Sequence, residues 1–193
     1  DVSKWLNTSR EKMSKCAAPS GDRDVLKDKT SKIKILQSEL DEGLEKLRNA
    51  ARLGEIAKAS VDEEEKIMID DELAKLQEEY ELLKENINEI KISLDVGVVK
   101  WNEYDEQYTK CSEWLLKMEP LVQSYAKPQL DLLSKRAKLQ EFQDHLQTIF
   151  DYQGEFDKLN MRAQLLLETY SDSSISNAFT QLSRKYGSLV SFS

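Results

Sequence analysis

A chain of 193 residues is long enough for one large domain or two small ones, and charged side chains make up 33% of it. Six glycines and three prolines are too few for a turn-rich fold, so long helices with few connections are expected. The net charge of −8 argues against duplex nucleic acid or an anionic membrane as the main partner, and no apolar run approaches the ~18 residues of a membrane-spanning helix.

In chain order, a first helix is expected to end near Ala17, followed by a loop at Ala18-Pro19-Ser20-Gly21. A second runs from about Asp24 to Ala57. A third starts at Ser60, where Ser60-Val61-Asp62-Glu63 has the spacing of a capping box and the acids that follow suit the positive end of a helix dipole. Its apolar positions are Ile69, Leu73, Leu76, Tyr80, Leu83, Ile87, Ile90 and Leu94, with steps alternating four and three. That is a coiled-coil seam. The stripe resumes at Trp101, Tyr104, Tyr108, Cys111, Leu115, Met118 and Val122.

Gly97 stands three after Leu94 and four before Trp101, so it fills a seam slot and keeps the phase. A loop would have reset the phase. The spacing therefore predicts one helix of about 60 residues through the glycine, ending after Val122. A glycine inside a helix costs about 1 kcal/mol relative to alanine, which two long amphipathic arms absorb. Pro128 suits the first turn of the next helix, which runs to about Thr169, and a last helix starts near Ser174.

The pattern repeats. Ile69, Leu73, Leu76, Tyr80 and Leu83 recur 106 residues later as Ile175, Phe179, Leu182, Tyr186 and Leu189. Trp5 recurs 109 later as Trp114, and Ile33, Leu36, Leu40 and Leu47 recur at the same offset as Phe142, His145, Ile149 and Phe156. The change from 109 to 106 implies a shorter last loop around residues 171–174. Two units follow, residues 1–96 and 97–193, each of three helices. Against their counterparts, the first helix lacks about ten residues at its start and the last about as many at its end.

Units of this length, with the third helix flowing into the next unit's first, resemble the spectrin repeat. The likeness is carried by "CSEWLLKME" at 111–119, "LQEFQDHLQTIF" at 139–150, "LQEEYELL" at 76–83 and "LSRKYGSLV" at 182–190. It implies an all-α fold of two consecutive three-helix, left-handed coiled-coil bundles joined by a continuous helix. The family often has Arg-Trp in its third helix. Here Tyr80 and Tyr186 stand in the Trp place, which resembles the divergent giant-rod relatives: the nesprins first, then dystrophin, utrophin and the plakins. The resemblance implies a non-enzymatic, elastic spacer in a cytoskeletal linker protein. It further implies a cytoplasmic place, with the cytoplasmic face of the nuclear envelope for a nesprin-like chain. Actin, or actin regulators such as formins, are the implied partners. The alternative is a stand-alone coiled-coil oligomeriser or adaptor, although units with three seams of their own are expected to close as a monomer.

No constellation in the sequence suggests chemistry, and no cofactor or metal is expected. His145 is the only histidine and reads as helix packing. The run Asp62-Glu63-Glu64-Glu65 lacks the glycine and alternating ligands of a calcium loop. Cys16 and Cys111, far apart in a helical chain, point to a reducing compartment rather than a disulfide framework. Asn7-Thr8-Ser9 reads as a chance match to a glycosylation acceptor. Trp5, Tyr80, Gly97, Trp101, Trp114 and Tyr186 are expected to be structural.

Charge is the remaining signal. Residues 1–60 carry 13 basic and 10 acidic side chains, and residues 61–96 carry 4 and 13. One reading is that acidic and basic helices of one bundle face each other. The other, since three packed helices shield only part of such segregation, is that the polar faces are docking surfaces. The basic candidates are Lys29, Lys32 and Lys34, beside Arg23 and Lys27. The acidic candidates are Glu78, Glu81 and Glu85.

Overall fold

The computed structural model describes residues 1–17, 21–125, 131–170 and 172–192. Every regular element among them is an α-helix: α1 Val2–Ala17, α2 Arg23–Ser38, α3 Leu40–Lys58, α4 Glu63–Tyr125, α5 Leu132–Asp151, α6 Gln153–Thr169 and α7 Ser173–Phe192. The chain is therefore all-α. It divides into two compact units, Asp1–Val98 and Val99–Ser193.

α4 is one uninterrupted helix of 63 residues with Gly97 inside it. It runs to Tyr125, past the expected end at Val122. Ala18, Pro19 and Ser20 of the expected first loop, Pro128, and Ser171 of the expected last loop lie outside the described residues. Gly21 takes φ +103°, the left-handed region that favours glycine, and hands the chain to Asp22. The Asp22 carboxylate accepts from the Val25 N–H at 2.9 Å and caps α2. Asp131 does the same for α5, accepting from the Ser134 N–H at 2.7 Å.

The cap of α4 differs from expectation. Asp62 accepts from the Glu65 N–H at 2.9 Å, whereas the Ser60 hydroxyl donates back to the Ala57 carbonyl at 3.1 Å. Asp62 and Glu65 have the same spacing as Ser60 and Glu63, and the carboxylate adds charge at the dipole's positive end. Asp62→Ala is expected to cost about 1 kcal/mol and Ser60→Ala close to nothing. Urea titrations of both variants check this.

The single second helix expected in each unit is two. Glu39 separates α2 from α3 and Tyr152 separates α5 from α6. Both joints stay in the right-handed region, but ψ flattens to −11° at Glu39 and −8° at Tyr152, well short of the usual helical value near −42°. A tertiary contact holds each joint. Lys12 of α1 binds the Glu39 carboxylate at 2.9 Å, and the Tyr152 ring lies flat against Trp114.

Unit 1 packs α1 against α2 and α3. The 63–98 part of α4 is tied in by Gln37 donating to Asn88 at 3.2 Å, by Arg10–Glu79 at 3.3 Å and by the Lys58–Asp70 pair. Its core is Leu6, Leu26, Ile33, Leu36, Leu40 and Leu47 against Tyr80, Leu83, Ile87 and Leu94. Unit 2 closes Trp101, Tyr104, Cys111, Leu115, Met118 and Val122 of α4 over Ile149, Phe156, Leu159, Ala163 and Leu166, with Ile175, Leu182, Tyr186 and Leu189 of α7. The repeat is faithful in the middle: Leu40 and Ile149, Leu47 and Phe156, Tyr80 and Tyr186, Leu83 and Leu189 are all buried. It loosens at the ends. Ile69, Leu73 and Leu76 are half-buried where Ile175 and Leu182 are buried, and Phe142 and His145 are half-buried where Ile33 and Leu36 are buried.

Candidate interaction surfaces

Two tyrosines fix the waist of the units. The Tyr80 hydroxyl donates to the Leu40 carbonyl at 2.9 Å, and the Tyr186 hydroxyl donates to the Ile149 carbonyl at 2.8 Å. The accepting residues are repeat equivalents, and Ile149 lies in the last turn of α5, where carbonyls lack an intrahelical partner. Each buried tyrosine thus satisfies its own hydroxyl.

The tryptophans beside them are seated differently. The end of the Trp5 ring lies on the backbone of Gly43, 6.2 Å from the Tyr80 ring. The position equivalent to Gly43 is Tyr152, and there Trp114 stacks ring on ring at 4.2 Å and 4°. A Cβ on Gly43 would run into the Trp5 indole. Gly43→Ala is therefore expected to destabilise unit 1 by about 1–3 kcal/mol despite alanine's better helix propensity, as measured by thermal melts. Trp101 is buried against Tyr104 at 6.3 Å and Tyr170 at 6.0 Å, and Gly97 is buried inside α4.

Unit 2 also carries a polar cluster, built around one buried side chain, that the pattern did not announce. Gln107 is 4% exposed and takes the seam level expected for Tyr108, which is half-buried. A straight helix drifts ~20° per heptad against a strict seven-residue repeat, and Gln107 finds partners there. Its amide donates to the Glu155 carboxylate at 2.8 Å and carbonyl at 3.0 Å, and accepts from Arg162 at 3.1 Å. Lys110 at 2.7 Å and Lys158 at 2.9 Å complete the ring around Glu155.

Hydrogen bonds from Lys110, Gln107 and Lys158 bring the Glu155 carboxyl down to about 2. A depressed carboxyl contributes stability that is present above its unfolded value and lost as pH falls through the folded one. Glu155→Gln should cost on the order of 2 kcal/mol at pH 7, and the gap from the wild type should close between pH about 4.5 and about 2. Paired urea titrations across that range check it. Burial pushes the Tyr152 hydroxyl, which donates to the Lys110 carbonyl at 3.4 Å, up to about 12. Burial also raises both thiols, Cys16 and Cys111, which are free.

The charged candidates fall as follows. Glu78, Glu81 and Glu85 are exposed and share one face of α4 by their i, i+3, i+7 spacing. Glu81 accepts from Gln77 at 3.2 Å, while the neighbouring Glu79 is the one paired to α1. Lys29 is half-buried, and Lys32 is exposed and bound to Asp28 at 2.6 Å. Lys34 is exposed but two residues from Lys32, about 200° round the helix, so the three do not form one face. Lys32 instead meets Lys12 and Lys15 of α1 across a groove also lined by Ile35, Leu36 and Glu39. Only the contact between α1 and α2 assembles that set, and no spacing within either helix reveals it.

Among the described residues no group of three or more His, Cys, Asp or Glu could hold a metal ion, and no helix is long and apolar enough to cross a membrane. His145 sits edge-on to Tyr125 at 6.0 Å. These features define an all-α protein of two helical units, each with its own core.

Among known proteins, the chain is similar to the Muscle-specific protein 300 kDa of Drosophila melanogaster, with 51% identity over 186 residues. The match covers 96% of this chain and 2% of that relative. No family model matches the chain, and no solved structure matches it.

Proposed function

We propose that this chain is a non-enzymatic segment of a large cytoskeletal protein, made of two spectrin-type repeats that share α4. It acts as a spacer and as a docking surface for proteins of the actin cytoskeleton. The observation that carries this reading is the likeness over 96% of the chain to a short stretch of a far longer muscle-specific protein. Two units that each bury their own seam support it, because a segment that closes on itself can be strung in series without a partner helix. Actin or an actin regulator such as a formin, and a place at the cytoplasmic face of the nuclear envelope, rest on the family resemblance alone. Dystrophin-like and plakin-like rods are the neighbouring alternatives, and a stand-alone oligomeriser is the alternative of a different class.

Sedimentation equilibrium separates these classes. A self-closing segment sediments as a 22.3 kDa monomer at all concentrations, and an oligomeriser at multiples of that mass. Co-sedimentation with actin filaments, with and without a formin, then tests the partner. No co-sedimentation in either arm would remove the actin part of the reading.

A further inference from the structure

The groove between α1 and α2 gathers three lysines around an apolar floor. Lys12 and Lys15 are one turn apart on α1 and form one wall. Lys32, Ile35, Leu36 and Glu39 follow at i, i+3, i+4 and i+7 on α2 and form the other. The cleft measures about 310 Å³. Leu36 is its buried floor, and Ile35, 60% exposed, is its lip. In a chain of net charge −8, three lysines stand here. Lys12 binds Glu39 at 2.9 Å and Lys32 binds Asp28 at 2.6 Å, so an incoming carboxylate would meet Lys15 directly and share the other two with these partners.

We propose that this groove binds an acidic amphipathic segment of a partner protein. An aliphatic side chain would enter the cleft over Leu36 against Ile35, and flanking carboxylates would meet Lys15, Lys32 and Lys12. The volume selects this occupant. It lies at the lower limit for small-molecule pockets and suits one or two side chains of a peptide. The charge selects it as well, because a desolvated apolar anchor gives affinity while a rim of lysines steers acidic partners and rejects basic ones. Lysine is a point charge without the bidentate fork of arginine, so a row of carboxylates suits the rim better than a single planar anion. The proposal makes the docking part of the function reading specific, and rests on it only for there being a protein partner.

The test uses residues 1–193 and three synthetic 14-residue helical peptides: one with two leucines at i and i+4 among glutamates, one with serines for the leucines, and one with lysines for the glutamates. Fluorescence anisotropy should show saturable binding of the first peptide alone, weakening severalfold from 0.05 to 0.15 M salt. Lys15→Gln with Lys32→Gln should weaken it about tenfold, and Ile35→Ser about as much. Glu168→Gln, exposed on α6 of unit 2, should leave it within about twofold. Circular dichroism and sedimentation mass confirm that each variant is folded and monomeric. No saturable binding overturns the proposal. So does equal binding of the serine peptide, equal displacement by inorganic phosphate, or indifference to the groove variants. Such a failure would leave the monomeric mass and actin results untouched, and an oligomeric mass would leave the groove measurement interpretable.

Discussion

Trp114→Ala, which truncates a half-buried indole, is expected to cost unit 2 about 3–5 kcal/mol, among the most damaging single changes in the chain. The ring stacks on Tyr152 at 4.2 Å, meets Phe156 edge-on at 6.3 Å and lies 6.0 Å from Tyr186. Each such pair contributes about 0.5–1.5 kcal/mol beyond the area it buries. The loss also propagates. Phe156 and Tyr186 are stacked on each other at 4.2 Å, and Tyr186 holds the Ile149 carbonyl, so the hole opens beneath a tyrosine that closes the α5 end. Trp5→Ala should cost less, about 2–3 kcal/mol, because among the described residues its ring meets one other ring, that of Tyr80, and rests on a glycine. Denaturant titrations of the two variants rank them. Equal losses would mean that the aromatic stack adds nothing to burial.

Gly97→Pro is expected to be the most disruptive change at the joint between the units, at about 3 kcal/mol or more. Gly97 is an interior residue of a helix that continues for more than six turns on either side. Proline removes its N–H from the ladder, and the ring collides with the carbonyl four residues back, that of Ser93. Gly97→Ala is the matched control. It keeps the N–H and removes a propensity cost of about 1 kcal/mol. Thermal melts followed by circular dichroism should place proline far below the wild type and alanine at or slightly above it. A proline variant as stable as the alanine one would mean that the chain turns at the glycine.

The sequence made the helices legible because their physics is local. Steps of three and four record which side of a helix is dry, and they carried through Gly97 because the phase did. The joints at Glu39 and Tyr152 were not legible. Neither is glycine or proline, and ψ at each departs from the helical value by only some 30°. The cap of α4 was ambiguous by construction of the sequence itself, with Ser60-Glu63 and Asp62-Glu65 offering the same spacing two residues apart. Gln107 was hidden because the partner that makes its burial tolerable, Glu155, is 48 residues away. The groove lysines failed for the same reason. Lys12 and Lys15 belong with Lys32 only once α1 lies on α2, and grouping Lys32 with Lys34 by nearness in sequence joined opposite sides of one helix.

Hydrogen exchange across residues 94–101 tests the central claim most directly, that one helix serves both units. With α4 unbroken, the amides of Leu94, Gly97 and Trp101 are all bonded to carbonyls four residues back and, at buried seam positions, should exchange as slowly as those of Leu83 and Ile87. Exchange of the 94–101 amides at the rate of an unstructured peptide, with Leu83 and Leu115 still protected, would contradict it and make this stretch a linker between two separate bundles.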